Sequence, residues 1–490
     1  MRCLGVIFVI VVCFSSFLVP APPTEAQTKQ PWGDKSSPFG AVVSLGNRVR
    51  EDEMPTMIRL MQEANVQWNR EEISWDHIQF KPNGPYRWDG DEKGFYNYDR
   101  AIALQHNAGI NMLGLLAYNP AWFKNKKPRL EEWLPDWEDY VYQTVARYGR
   151  DRGQIKYWEI WNEPNLAIAG FESGLYTTDH YVQVLKTAQA AARRADPEAK
   201  IVLGALCDVW SDLPPNFVDT PEYLRELAEL GAWQYFDILA VHPYRPGAPE
   251  IPAWRRDRFE TLQDTLDDTD AVLAEWGYKP IWYTEMGWSR EFYGIKDDVQ
   301  QAAWMQRFFL LTLNRPGVEK IFWYDFRDDV NHPDLYTTFV SDLSNNQHHF
   351  GLLRRTYPLR FADPTIRKPA YFAFIQLQRM LADVSWQQTL SDPYAEFLGW
   401  QRWGNDTRTL EVMWWAQPTA APPVVTINCG CPQVRIRAYD GSEERIVQTR
   451  NGRLRLAPPS NGTPLWIEWT SLPPSRQSSG PYVNNAFQLN

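Results

Sequence analysis

Histidine and cysteine are scarce in this chain, seven and five in 490 residues. His77, His106, His180, His242, His332, His348 and His349 form no strand-end His-x-His pair, the pattern a metal-dependent barrel hydrolase needs. No metal and no other cofactor is expected. Cys3 and Cys13 fall in the first apolar run, which leaves Cys207, Cys429 and Cys431. An odd number excludes a fully paired set within one chain, and three cysteines without a nearby histidine make a poor zinc site. Cys429-Gly430-Cys431 either closes a tight disulfide in an oxidising compartment or stays as two thiols. Basic residues are in deficit: 50 Lys and Arg against 60 Asp and Glu give a net charge of −10. Binding phosphates needs a basic face, so nucleic acid is not an expected partner.

Long apolar runs are missing too, with one exception. Arg2 precedes an uncharged run from Leu4 to Val19 that is short for a membrane span and suits a signal h-region. Thr24-Glu25-Ala26 before Gln27 makes a tolerable cleavage site. Residues 1–26 therefore read as a signal peptide, and the mature chain as secreted, periplasmic or cell-surface. Once the signal is cleaved, no membrane contact is expected. Left uncleaved, the same segment is an N-terminal membrane anchor.

Aromatic residues are abundant: 24 Trp, 23 Tyr and 23 Phe make 14% of the chain. A large aromatic core accounts for many of them, and platforms for stacking sugars account for others. Trp122, Trp210, Trp254 and Trp288 sit in polar, loop-like stretches and are the stacking candidates.

From Pro38 to about Leu381, short apolar strands alternate with amphipathic helices, the order of a parallel sheet with crossover helices. Eight strands are predicted: Phe39–Leu45, Val66–Arg70, Asn111–Tyr118, Lys156–Glu163, Lys200–Cys207, Phe236–His242, Pro280–Glu285 and Lys320–Phe326. Helices are predicted over Thr56–Asn65, Asp136–Tyr148, Asp179–Ala195, Thr220–Leu230, Phe259–Trp276, Val299–Asn314 and Lys368–Met380, with Asp179 and Thr220 as N-caps. Eight strand–helix pairs fit a (β/α)8 TIM barrel over residues 37–381. An open doubly wound sheet competes poorly, because no Gly-rich phosphate loop follows any strand. Beyond Leu381 helical periodicity stops. Six short alternating runs, Phe397–Trp403, Thr409–Trp415, Val424–Asn428, Val434–Tyr439, Arg453–Leu456 and Leu465–Trp469, are separated by Asn-Gly and Asp-Gly turns. They predict a small antiparallel β-sandwich over 382–472, followed by a polar tail, 473–490.

In such a barrel all strand C-termini open on one face, where active sites lie. Glu163 ends the fourth predicted strand in Trp161-Asn162-Glu163-Pro164, and Glu285 ends the seventh in Thr284-Glu285-Met286. These strands stand on opposite sides of the mouth, so two carboxylates can face each other across a sugar. One must hold a proton for the leaving oxygen while the other is ionised to attack or to activate water. A separation of roughly 5–5.5 Å gives double displacement with retention, and a wider gap gives inversion. Arg70, closing the second strand, is placed to keep a nearby carboxylate charged. Glu159 shares the side-chain parity of Trp161 and Glu163 and would be a buried structural partner of an Arg or Lys.

Trp161-Asn162-Glu163-Pro164 and Thr284-Glu285 resemble the acid/base and nucleophile motifs of clan A retaining glycoside hydrolases. Residues Trp158 to Asn165, together with His242-Pro243-Tyr244, resemble glycoside hydrolase family 39 and its relatives. The resemblance implies a glycosidase acting on an oligo- or polysaccharide, with Glu163 as acid/base and Glu285 as nucleophile. It further implies that Asn162 bonds the hydroxyl beside the anomeric carbon and that His242 or Tyr244 bonds the nucleophile. Trp323, on the eighth strand, would floor the cleaved ring, with Tyr118, Asn119 and Trp288 as further sugar contacts. The polar segments Arg327–Pro333 and Asn345–His349 would wall one end of the cleft and leave exo against endo cleavage open. Two rival readings stand beside hydrolysis. The first is transglycosylation on the same scaffold. The second is a non-catalytic polysaccharide-binding protein, which the loss of one carboxylate would have favoured.

Overall fold

The computed structural model describes residues 37–124, 129–166, 177–208, 217–255, 258–289, 295–329, 349–417 and 419–470. The expected signal peptide, the polar tail, Trp210 and most of the polar segments after the eighth strand lie outside the described residues. No helix among the described residues is long and apolar enough to cross a membrane.

Eight parallel strands close into a barrel. They are β1 (Phe39–Val42), β2 (Trp68–Ser74), β3 (Asn111–Ala117), β4 (Tyr157–Asn162), β5 (Lys200–Cys207) and β6 (Leu239–His242). After a two-stranded hairpin, β7 (Ala253–Arg255) with β8 (Arg258–Glu260), follow β9 (Ile281–Met286) and β10 (Val318–Trp323). Helices between successive strands pack outside, so the strands are buried on both faces and read as nearly continuous apolar runs. The barrel floor is aromatic. Trp68, Tyr157 and Trp282 contact one another with centroids 4.9–5.3 Å apart, and the Lys320 ammonium lies 5.2 Å from the Trp68 ring. This plug leaves the charged side chains higher on the same strands to face the mouth.

Several predicted boundaries shift for identifiable reasons. Strand β1 stops at Val42, because Ser44 turns left-handed (φ 45°) and Leu45–Arg48 forms a helical turn. Strand β2 runs on to Ser74, which adds Glu72 to the inward row of Trp68 and Arg70. The helix expected from Asp136 begins at Leu130 and passes through Pro135. Packing overrides the proline there: Trp133 stacks on Trp137 at 5.3 Å and meets Trp161 at 5.9 Å. Asp179 and Thr220 are not the N-caps. Those positions are Thr177 and Asp219, and the Asp219 carboxylate is bonded by Arg255 instead of capping its helix.

The C-terminal unit is a sandwich of two antiparallel sheets. Its strands are β11 (Ser385–Ser391), β12 (Leu398–Gly404), β13 (Arg408–Trp415), β14 (Val425–Asn428), β15 (Gln433–Arg437), β16 (Glu444–Gln448), β17 (Arg453–Leu456) and β18 (Leu465–Thr470). The larger sheet runs β11-β12-β13-β18-β15-β16, and β14 pairs with β17 in the smaller. β11 and β16 have no counterpart among the predicted strands. Both are edge strands, largely exposed, so neither carries a buried face that would impose alternation. Cys429 and Cys431 are joined by a disulfide across Gly430, and Cys207 is the free thiol among the described residues.

Candidate active site

Glu163 reaches the mouth through a break in strand geometry. Trp161 adopts φ 74° and Glu163 φ 48°, the left-handed region that bulky residues avoid. Parity from Glu159 would point Trp161 into the barrel. The left-handed turn sends it outward instead, where it is buried against Trp133 and Trp137. Trp161 thus does not share the inward row expected of it, and the turn presents Asn162 and Glu163 at the rim. Pairing of Asn162 with Ala205 and the bond from Glu163 N to Ala205 O (3.0 Å) fix that end against β5. Asn165 fixes it again: its buried amide accepts from Cys207 N (3.0 Å) and donates to the carbonyls of Cys207 and Val218, both at 2.8 Å.

Glu285 is re-aimed by an irregularity of the opposite wall. The register of β9 on β10 slips between Tyr283–Ile321 and Met286–Trp323, leaving an extra residue on β9. Such a bulge bends the strand and redirects a side chain. Thr284 keeps the inward direction of Trp282, and Glu285 emerges above it.

These elements converge on one hydrogen-bonded set. The Arg70 guanidinium donates to Glu285, to Asn162 Oδ1 (2.8 Å) and, through Nε, to Glu159 Oε2 (2.5 Å). Tyr244 donates its hydroxyl to Glu285 Oε2 (3.1 Å). His242, wholly buried, lies 2.8 Å from Glu163 Oε1 through Nδ1 and 3.1 Å from Thr284 Oγ1 through Nε2. Thr284 Oγ1 donates to Glu159 Oε1 (2.9 Å). Glu159 is thus the buried partner of an arginine. The Glu163 and Glu285 side chains remain 20% and 13% exposed, which leaves both open to a substrate above.

The surroundings separate the groups electrostatically. Burial alone would raise the Glu285 carboxyl, but His242, Arg70, Arg48 and the Tyr244 hydroxyl together hold it below the ordinary range. Burial opposes the charge on Arg70, and Glu159 and Glu285 outweigh it, so the guanidinium is raised. Burial and the charge on Glu285 push the Tyr244 hydroxyl up, so it stays a donor. Burial and the neighbouring Glu163 push the Cys207 thiol up, so it stays protonated. Glu163, His242 and Glu285 each bring one potential metal-ligating atom within 4.8 Å of the others. A cation there would have to compete with the Arg70 and Tyr244 bonds to Glu285.

Three expected sugar contacts are placed elsewhere. Trp323 and Trp288 are fully buried and lie against each other with centroids 6.2 Å apart, outside the barrel wall. The reason is parity: Lys320, Phe322 and Tyr324 face inward, so Trp323 faces the helices. Trp288 donates to Gly247 O (3.0 Å) and presents no free face. Asn119 is buried, and its Oδ1 accepts from Trp133 Nε1 (2.7 Å). The stacking candidate Trp122 is half-buried against Trp75, whereas Trp254 is 49% exposed beside Phe259 on the β7–β8 hairpin.

The structure adds residues that the sequence reading passed over. Tyr324 takes the inward place beside Tyr244, with centroids 6.4 Å apart and the Arg48 guanidinium 5.5 Å from its ring. Arg48 also pairs with Asp325 (2.8 Å) and Asp329 (3.3 Å) and approaches Glu72, making a polar wall beside Glu285. Alternation along β10 would have found Tyr324. Nothing local points to Arg48, whose place depends on the left-handed turn at Ser44.

Comparison with known proteins fits this geometry. The family model for glycosyl hydrolases family 39 matches residues 118–402, more than half of the chain and inclusive of both motifs. The chain belongs to that family. The family 39 enzyme is a glycosidase that hydrolyses O-glycosyl bonds. It is 24% identical over 267 residues to endo-1,4-beta-xylanase B of Thermotoga neapolitana, a match covering 50% of this chain and 69% of that protein. It is 29% identical over 109 residues to a beta-xylosidase of Caldicellulosiruptor saccharolyticus, covering 20% of this chain and 22% of the relative. Its fold resembles a monomeric beta-xylosidase from Caulobacter crescentus CB15 (TM-score 0.56, 16% identity, 89% of this chain and 96% of that one). It also resembles the GH39 enzyme from Xanthomonas axonopodis pv. citri (TM-score 0.55, 16% identity, 89% and 95%).

Proposed function

We propose that this family 39 enzyme is exported and cleaves β-linked xylosides, in oligo- or polysaccharide form, by double displacement. The observation that carries the mechanism is the approach of Glu163 and Glu285 to within 4.8 Å, which matches the spacing of retaining rather than inverting carboxylates. Glu285 is the nucleophile, held ionised by Arg70 and Tyr244. Its oxygen attacks the anomeric carbon while Glu163 gives its proton to the departing oxygen, so the glycosidic bond breaks and a glycosyl ester forms. Glu163 then takes a proton from water, the water oxygen attacks the same carbon, and Glu285 leaves as carboxylate. Asn162, oriented by Arg70, bonds the hydroxyl beside the anomeric carbon. Tyr324 replaces Trp323 as the aromatic surface for the ring. The xylanase and xylosidase relatives support the choice of sugar, and the apolar run from Leu4 to Val19 supports export.

The test is hydrolysis of aryl β-xylosides, other aryl β-glycosides and xylan by the mature chain beside Glu285→Gln. Xylose release that falls about 10⁴-fold or more in the variant supports the assignment. Undiminished release in the variant removes Glu285 from the reaction, and turnover confined to another glycone replaces xylose while leaving the carboxylate pair intact.

A further inference from the structure

The buried bonds beneath the two glutamates form one continuous chain, Glu285–Arg70–Glu159–Thr284–His242–Glu163. Donor and acceptor accounting gives this chain a direction. Glu159 Oε2 is taken by Arg70, and as a paired carboxylate it can only accept. Thr284 has a single hydroxyl proton and gives it to Glu159 Oε1. Its oxygen must then accept from His242, so Nε2 of His242 carries the hydrogen. The neutral ring is thereby left with a lone pair on Nδ1, aimed at Glu163 Oε1 at 2.8 Å. With Glu163 ionised, two acceptors would face each other at hydrogen-bond distance. One proton between them removes that clash.

We propose that Thr284 and Glu159 are positioning residues that lock the tautomer of His242 and so keep the acid's proton on the Glu163–His242 pair until the leaving oxygen takes it. This rests on the reading of Glu163 as acid/base. The other groups facing the pair are Arg70 from β2, Tyr118 after β3, Cys207 on β5, Tyr244 after β6 and Glu285 on β9. Tyr118, Cys207 and Tyr244 are each pushed up by burial and stay neutral, and Arg70 carries a fixed charge. Without the threonine hydroxyl, the ring is free to move its hydrogen to Nδ1 and donate to ionised Glu163. The pair then gives up its extra proton at lower pH. Deglycosylation uses the same lock in reverse, because Glu163 returns to its proton-holding state after taking the proton of water.

The test is the pH dependence of kcat/KM on two aryl glycosides, one with a poor leaving group that needs protonation and one with a dinitrophenyl group that does not. For Thr284→Val the alkaline limb on the poor substrate is expected to move down by about one pH unit, with little change on the dinitrophenyl substrate. Thr284→Ser, which restores the hydroxyl, is expected to keep the wild-type limb. A folded Thr284→Val enzyme with an unmoved limb overturns the proposal. Should the valine variant not fold, nitrogen-15 shifts of the His242 ring in the wild-type enzyme decide: hydrogen on Nε2 above the limb supports the lock, and hydrogen on Nδ1 overturns it. Glu163→Gln on the same substrates separates the two questions. Equal loss on both substrates would sink the acid/base reading itself, whatever Thr284 does. Selective loss on the poor substrate with an unmoved Thr284→Val limb sinks only the lock.

Discussion

Two side chains show how far single residues in this enzyme depart from their ordinary behaviour. Asp208 follows β5 with its carboxylate buried, 3.6 Å from Arg255. Burial pushes its carboxyl up, to about 7, despite that arginine. The folded chain therefore binds a proton that the unfolded chain has released between about pH 4 and pH 7, and stability is lost as pH rises through that window. Asp208→Asn is expected to be more stable than wild type at pH 8 by on the order of 1–3 kcal/mol and to differ less at pH 5, as read by urea denaturation at both values. Trp161 is the second case, with its left-handed backbone backed by aromatic packing against Trp133 and Trp137. Trp161→Ala is expected to cost about 3–5 kcal/mol and to lower kcat more than KM, because Asn162 and Glu163 lose the turn that presents them. Thermal melts beside steady-state kinetics check both effects.

The elements that matter most at the site are irregular ones. The turn at the end of β4 and the slip of β9 on β10 deliver the two carboxylates, while the regular parts of the same strands hold Glu159 and Thr284 beneath. The β7–β8 hairpin is a third such element. Its inner face is anchored where Arg255 bonds Asp219 and Glu260, and its outer face exposes Trp254 and Phe259, 5.1 Å apart. An aromatic pair standing in the connection from β6 to β9, on the catalytic side of the barrel, suits a sugar unit away from the scissile bond. The double variant Trp254→Ala/Phe259→Ala is expected to raise KM on xylan about 5- to 10-fold, the equivalent of roughly 1 kcal/mol of stacking. Aryl xylosides, which carry a single sugar, are expected to keep their KM.

At the scale of the molecule, barrel and sandwich share one apolar core. Trp403, Leu410, Val412, Trp414 and Trp466 of the large sheet belong to the same buried cluster as Phe309 and Phe374 of the barrel helices. Buried polar bonds cross the junction: Glu250 pairs with Arg307 and accepts from Trp414 Nε1 (2.7 Å), and Gln306 donates to Tyr439 O (2.7 Å). The other face of the large sheet makes a separate core under β14 and β17, around Met413, Ile427 and Ile467. The sandwich is therefore a brace. Calorimetry is expected to give one cooperative transition for both units, and a chain ending at residue 381 is expected to be insoluble, since its helices would expose that shared face.

The sequence by itself determined the barrel, the sandwich, the place of Glu163 and Glu285 at strand ends and the family, because each rests on a local signal. Alternation of strand and helix, turn dipeptides and the Asn-Glu-Pro and Thr-Glu strand ends are all properties of contiguous residues. Parity along β10 and β4 was also written in the chain, yet it misled at Trp161 and went unused at Trp323, where a residue two places from an inward side chain is itself inward only if the backbone stays extended. What only the tertiary structure decided is the wiring. Arg48, Arg70, Glu159, His242, Thr284 and Glu285 come from five strands or their ends, and no spacing in the sequence encodes which donor meets which acceptor. Edge strands β11 and β16 escaped for the related reason that exposure on both faces leaves no pattern to read. Pairing across a closed barrel is a property of the assembled walls, so the direction of the proton chain beneath the glutamates exists only once they have closed.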